Sequence, residues 1–304
     1  MADRIGGFRS AEDAARYFEL YDDLVDRFWP VEHEELDVPT RFGSTHVRRS
    51  GTHGGAPLVL IHPTSGSSVG WHRLAAPLCE RHTVYTPDTI GTVGRSIQTA
   101  PIRSPRDLVI WLDDVLDALD LDAIHLLGYS EGGWIAGLHA ATTERHARLA
   151  TVTLIEPGGA IERIPRRLIA SMVLRGSRTL IARDKHRAIR NFNHWMNGDV
   201  EISDDEIDML LLAFKTFRQR LPTPDRLSDE QLASITAPSL LLLGADTRLY
   251  DPDRVADRAR RLLNDVRVDI VPGAGHGLPF QYPERTTTRV LEFIESDHDS
   301  AAQR

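Results

Sequence analysis

Short apolar runs alternate with amphipathic stretches along most of the chain. The runs are typical of strands buried on both faces, whereas the amphipathic stretches repeat their apolar residues at helical spacing. The predicted strands are PLVLIHP, HTVYTPD, AIHLLGYS, LATVTLIEP, PSLLLLGAD and VRVDIVPG, and the predicted helices are WHRLAAPLCERH, RDLVIWLDDVLDALDL, EGGWIAGLHAATTE and TTTRVLEFIES. This alternation predicts a parallel sheet whose strands are joined by right-handed crossovers.

Two regions depart from the alternation. Near the amino terminus, apolar residues at helical spacing predict a helix to Trp29, and the segments ELDVPTRF and THVRRS then predict a hairpin. Residues 158–235 show helices and turns without a convincing strand. We therefore expect 158–235 to form a helical cap over the carboxyl ends of the strands, where parallel sheets bind ligands, and 1–157 with 236–304 to form the core.

The composition of the chain excludes several classes of binding partner. The 304 residues include 36 Lys and Arg against 44 Asp and Glu, a net charge of −8, so a nucleic-acid partner is not expected. Cys79 is the only cysteine, which excludes an internal disulfide and a thiolate metal cluster. No apolar run approaches the roughly 18 residues that span a bilayer, and the first residues lack the apolar core of a signal peptide. We expect a soluble, cytoplasmic protein without a membrane partner.

The segment LLGYSEGGW carries the clearest chemical signal. Residues 128–132 fit the pattern G-x-S-x-G, and they lie between an apolar strand and an Ala/Gly-rich helix. A nucleophile on a strained strand-to-helix turn needs neighbours without bulky side chains, and the start of the helix directs N–H groups toward developing negative charge. The pattern predicts that Ser130 is a nucleophile. The competing interpretation is a serine that only caps the helix.

A serine hydroxyl needs a base and an oxyanion site. His276, in VPGAGHGLPF, lies in a glycine-rich loop after the last predicted strand, whereas most of the other histidines lie within or beside predicted helices and strands. We therefore predict that His276 is the base. The N–H groups of Glu131, directly after the serine, and of Thr64, in LIHPTSGSS, are the predicted oxyanion donors.

In order along the chain, PLVLIHP, DTIGTVGRS, GYSEGG, LLLLGAD and PGAGH resemble the α/β-hydrolase superfamily, from about residue 34 to 296. The segments FWPVEHEELDVPTRFGSTHV, YDP and PGAGHGLP narrow the resemblance to bacterial α/β-fold hydrolases of the esterase type. This resemblance implies an α/β fold with a mostly parallel, eight-stranded sheet, flanking helices and a helical cap. It also implies that no metal and no organic cofactor is needed.

The acid that orients the histidine has three candidates. The resemblance implies an acid three residues after Gly244, but that position is Thr247. Asp246 is preferred because it lies in the turn directly after the same strand. Glu156 closes the preceding strand and resembles the acid position of haloalkane dehalogenases, while Asp251 before Pro252 is also typical of a helix cap.

These residues predict a serine hydrolase that cleaves a carboxylic ester, thioester or lactone of a small acyl substrate through an acyl-enzyme. One alternative uses the same residues for C–C bond hydrolysis or acyl transfer, and another is a ligand-binding protein without turnover. The predicted cap begins with an arginine-rich segment, 162–190, which either covers a solvated face or attracts carboxylate-bearing substrates. The sequence indicates no oligomeric state.

Overall fold

The computed structural model describes residues 5–51 and 56–302, with side chains as far as residue 296. The segment SGTHGGAP, at 50–57, has the glycine-rich composition that predicts a turn, and it lies largely outside the described residues. The strands are β1 Gly7–Phe8, β2 His33–Thr40, β3 Gly43–Gly51, β4 Pro57–Ile61, β5 Thr83–Pro87, β6 Ile97–Gln98, β7 Ile124–Tyr129, β8 Leu149–Ile155, β9 Phe217–Arg218, β10 Ser239–Gly244 and β11 Val266–Val271. The helices are α1 Ala11–Phe28, α2 His72–Cys79, α3 Pro105–Ala118, α4 Glu131–Thr142, α5 Arg166–Ile181, α6 Lys185–Asn197, α7 Asp204–Thr216, α8 Asp229–Ala233, α9 Pro252–Leu262, α10 Leu278–Gln281 and α11 Pro283–Ala302.

The main sheet has the strand order β11-β10-β8-β7-β4-β5-β3-β2, and the short β6 pairs with β3. Strands β11 through β5 are parallel, while the β2–β3 hairpin is antiparallel and joins the sheet through β5. The predicted mostly parallel, eight-stranded sheet is confirmed, with β6 as an addition at its edge. Because parallel strands end at the same edge, the segments after β4, β5, β7, β8, β10 and β11 meet there.

Helices cover both faces of the sheet. Side chains of β4 alternate between two buried clusters, with Val59 and Ile61 in one and Leu58 and Leu60 in the other. The first cluster includes side chains of α3, α4 and α9, and the second includes side chains of α1, α2 and α11. Burial on both faces explains why the central strands read as continuous apolar runs. No helix within the described ranges is both long and apolar enough to cross a membrane.

Helices α5 to α8 lie between β8 and β10, in the segment expected to be helical. The structure adds one short strand there, since Phe217–Arg218 pairs antiparallel with Gly7–Phe8. Two residues are too few to show a strand period, so the sequence pattern could not reveal this pairing. Helix α1 packs against α7, the helix directly before this short strand. The first helix of the chain therefore contacts the segment 158–235.

Candidate active site

Ser130 lies on the turn between β7 and α4, with backbone angles φ 56° and ψ −117°. Its neighbours are glycines because main-chain atoms approach them closely. A Cβ on Gly128 would stand 2.1 Å from the carbonyl oxygen of Gly132, and a Cβ on Gly132 would stand 2.0 Å from that of Ile61. A Cβ at either position would force these main-chain atoms apart, so the two glycines allow the tight turn that holds Ser130 in a strained conformation.

His276 follows β11, and its loop brings the imidazole to Ser130 at the carboxyl edge of the sheet. Its Nε2 lies 3.0 Å from Oγ of Ser130. The imidazole packs on the ring of Tyr129 at 5.2 Å, and the Tyr129 hydroxyl donates to the His276 carbonyl at 2.9 Å. Burial, followed by the charge of Glu156, raises the pKa of Tyr129 far above its usual value, so this hydroxyl remains a donor. Sequence reasoning missed Tyr129, because an aromatic residue inside the motif also fits a core position.

Glu156 is the carboxylate that faces the histidine. Its Oε2 lies 3.1 Å from Nδ1 of His276 and accepts a 2.5 Å hydrogen bond from the hydroxyl of Thr247. Oε1 accepts from the N–H of Gly244 at 2.7 Å. The side chain is fully buried, and its backbone has a positive φ of 44°. Both oxygens of Glu156 accept hydrogen bonds, so the carboxylate also acts as the acceptor toward His276. The ring proton is therefore assigned to Nδ1 of His276, which donates to Oε2 of Glu156.

The preference for Asp246 needs correction. Its side chain is exposed, and its main-chain N–H donates to Ala274. Asp251 caps α9, since its carboxylate accepts from the N–H groups of Asp253 and Arg254 at 3.1 and 3.3 Å. The turn after β10 does reach the site, but through Thr247, whose hydroxyl contacts Glu156, whereas the side chain of Asp246 points to solvent. Because β8 lies between β7 and β10, the carboxylate that ends β8 takes the place beside the histidine.

The two predicted oxyanion donors lie on adjoining segments. The hydroxyl of Thr64 donates to the carboxylate of Glu131 at 2.8 Å, and the Gln219 amide approaches the same oxygen at 3.5 Å. Within residues 5–51 and 56–302, the N–H groups of Thr64 and Glu131 donate to no protein acceptor. Burial raises the pKa of the Glu131 carboxyl, and the hydrogen bonds from Thr64 and Gln219 lower it in part.

Two further buried polar groups hold the loops around the site. His62 contacts the carbonyl of Pro63 through Nδ1 and accepts the N–H of Thr89 through Nε2, both at 2.9 Å. Asp88 accepts the N–H groups of Ser68 and Arg95, both at 2.7 Å. Burial lowers the pKa of His62, so it is neutral and links the loops after β4 and β5.

The arrangement joins a hydroxyl, an imidazole and a carboxylate in one chain of contacts beside two unpaired N–H groups. Such a chain suits nucleophilic attack on a carbonyl carbon. Among the described residues, no group of three or more His, Cys, Asp or Glu side chains is placed to hold a metal ion.

Comparison with known proteins places this geometry in a family. The sequence model of the Alpha/beta hydrolase family matches residues 58–289. The carboxylesterase YbfK of Bacillus subtilis (strain 168) is 29% identical over 296 residues, which cover 94% of this chain and 96% of that protein. An uncharacterized carboxylesterase, nap, of the same organism is 27% identical over 306 residues, covering 94% and 95%.

Solved structures agree with the sequence relatives. Naproxen esterase (carboxylesterase NP) from Bacillus subtilis superposes with a TM-score of 0.85 at 26% identity, covering 94% of this chain and 99% of that one. Carboxylesterase CesB (YbfK) from the same organism superposes with a TM-score of 0.82 at 28% identity, covering 93% and 99%. The chain therefore belongs to the alpha/beta hydrolase family, as an α/β-fold hydrolase of the bacterial esterase type.

Proposed function

We propose that the protein hydrolyses a carboxylic ester, thioester or lactone of a small acyl substrate through an acyl-enzyme on Ser130. The observation that carries the proposal is the position of His276, whose two ring nitrogens lie 3.0 Å from Oγ of Ser130 and 3.1 Å from Oε2 of Glu156. The relatives named as carboxylesterases, YbfK and nap, support the same class of substrate.

In the first half-reaction, Oγ of Ser130 attacks the ester carbonyl while Nε2 of His276 takes its proton. The N–H groups of Thr64 and Glu131 stabilise the negative charge on the tetrahedral intermediate. As the intermediate collapses, the C–O bond to the alcohol breaks and His276 gives the proton to the leaving oxygen. In the second half-reaction, water attacks the acyl carbon while Nε2 of His276 takes a proton from it. The bond from the acyl carbon to Oγ then breaks, His276 returns the proton to Oγ, and the acid is released.

Glu156 keeps His276 in the tautomer that can accept a proton at Nε2, and it stabilises the imidazolium that forms. The hydrogen bonds from Thr247 and Gly244 hold the carboxylate in place. In our assignment of the catalytic triad of serine, histidine and acid, Glu156 therefore replaces Asp246.

We also propose that residues 158–235 act as a cap on a core formed by 1–157 and 236–304. Two contacts support this role, since Gln219 reaches the carboxylate of Glu131, and the carbonyl of Asn197 accepts the N–H of Gly277 beside His276. The segment thus touches the residues that flank both the serine and the histidine.

A fluorophosphonate probe and a series of aryl esters from acetate to decanoate test the function together. We expect one adduct, on Ser130, and a rapid burst of aryl alcohol when the acyl-enzyme accumulates. Ser130→Ala should abolish both signals. His276→Ala should lower kcat on the order of 10⁵ to 10⁶-fold with an unchanged circular dichroism spectrum.

His194 offers a matched control, because its side chain is 71% exposed on α6. His194→Ala should hydrolyse the esters like the wild type. An adduct on a different serine, or a His276→Ala variant that stays within tenfold of wild-type kcat, would refute the assignment.

A further inference from the structure

Helix α5 presents an apolar face to solvent. Five of the nine exposed large apolar side chains that the structure describes belong to this helix: Ile169, Val173, Leu174, Leu180 and Ile181. At about 100° per residue they lie within an arc of roughly 140°, while Leu168 and Met172 on the opposite side pack against the core. A surface helix normally turns its polar side outward, so α5 is reversed with respect to the usual amphipathic pattern.

Basic side chains surround this apolar face. Residues 166–190 contain eight arginines and lysines and a single aspartate, Asp184, in a chain whose net charge is −8. Arg187 and Arg190 are paired with Asp184 and Asp204. Arg175 has no carboxylate partner either, but its guanidinium stacks on the ring of Trp195 at 4.6 Å. Within the described part of the chain, this leaves five unpaired basic side chains: Arg166, Arg167, Arg178, Arg183 and Lys185.

Charge decides between the possible occupants of the face. A two-fold contact through α5 would bring the five unpaired basic groups of one copy against those of another, which opposes dimerisation. A protein that wraps around a basic amphipathic helix needs access to the whole circumference of that helix. The inner side of α5 is packed on the rest of the protein, so such a partner does not fit. A flat, anionic and apolar surface complements both the charge and the shape.

We infer that α5, with the start of α6, docks on an anionic lipid surface, with its five exposed apolar side chains inserted among the lipids and its unpaired basic groups against the head groups. The expectation of no membrane partner rested on the lack of a spanning segment. A helix that lies in the interface needs no such segment.

Docking has a consequence for the site that rests on the proposed function. The loop from Pro157 to Pro165 leads directly into α5, and the N–H of its Gly158 donates to the carbonyl of Ser130 at 2.9 Å. The same short segment therefore links the helix that docks on lipid to the main chain of Ser130.

Sedimentation with sucrose-loaded vesicles tests the inference without any ester. Vesicles of phosphatidylcholine alone are compared with vesicles that also contain phosphatidylglycerol. At low ionic strength we expect binding to be at least about tenfold tighter to the anionic vesicles, and to weaken as salt screens the charges. Ser130→Ala should bind like the wild type, so that failure of docking and failure of the proposed function are separate results.

Two double variants locate the contact. Val173→Asp with Ile181→Asp removes the apolar insertion at positions that are 66% and 84% exposed, and Arg178→Glu with Arg183→Glu reverses the charge. Each should weaken binding to anionic vesicles at least roughly tenfold while circular dichroism stays native. The matched control is Ile97→Asp with Arg106→Glu, because Ile97 is 61% exposed on β6 and Arg106 is exposed on α3.

Three results would overturn the inference. They are a wild type that sediments with neither kind of vesicle, α5 variants that bind as well as the control, and a wild-type dimer that the apolar double variant dissociates in light scattering. The last result would assign the face to a second copy of the chain.

Discussion

The hydroxyl of Thr247 donates a hydrogen bond to Oε2 of Glu156, the oxygen that also faces Nδ1 of His276. Thr247 stands where an acid is common in this family, three residues after Gly244, and here it supports an acid from the neighbouring strand instead. The exchange is possible because β8 and β10 are adjacent in the sheet. One oxygen of the Glu156 carboxylate thus contacts both the imidazole of His276 and the neutral hydroxyl of Thr247.

The first prediction concerns this carboxylate. Glu156→Gln should lower kcat for ester hydrolysis by roughly 10⁴, because the amide conserves shape but leaves the imidazole in the wrong tautomer. Steady-state kinetics with an aryl ester measures the change. Asp246→Asn is the control and should stay near wild type, since Asp246 is exposed. The reverse outcome, a large loss in Asp246→Asn alone, would restore Asp246 as the acid.

Thr247 gives a second prediction. Thr247→Val removes the hydroxyl but conserves the branched shape, so kcat should fall roughly tenfold, the scale of one hydrogen bond to a charged group, with KM nearly unchanged. Thr247→Ser keeps the donor and should recover most of the loss. Equal kinetics in the valine and serine variants would show that the hydroxyl does not contribute.

The third prediction concerns the dependence of stability on pH. Burial raises the pKa of Glu131 in the folded state, so the unfolded chain loses this proton first as pH rises. Stability should therefore decline from about the usual glutamate pKa up to the raised folded value. Glu131→Gln should remove this decline, and the free energy of unfolding, measured with urea at a series of pH values, should exceed that of the wild type above the window.

An exposed glutamate supplies the control for that measurement. Glu144 has a side chain that is 89% exposed at the end of α4, so Glu144→Gln should follow the wild-type curve. A Glu131→Gln curve that also follows the wild type at every pH would contradict the predicted role of burial.

The fourth prediction separates a cap from a catalytic acid. Asp251→Ala removes the side chain that accepts from the N–H groups of Asp253 and Arg254, and it should cost about 1 kcal/mol of unfolding free energy. Ester turnover at a temperature where the variant is folded should be nearly intact. A large fall in kcat without a loss of stability would be the opposite of this expectation.

Local chemistry explains why Ser130 and His276 could be picked out from the sequence. Each lies among glycines directly after an apolar strand, and each pattern is complete within about ten residues. Glu156 could not be chosen in the same way, because its closeness to His276 depends on the order of strands that are far apart in sequence. The outward apolar face of α5 was missed for a similar reason, since helical periodicity does not tell which side meets the core.

The contact between Gly132 and Ile61 has a consequence for how this site can evolve. Main-chain atoms set how closely the start of α4, which carries Glu131, approaches the end of β4, which leads to Thr64. Residues over the site, such as Gln219, are therefore free to change with the substrate. A library that varies such positions and leaves both glycines of the turn intact would alter selectivity on a constant catalytic frame.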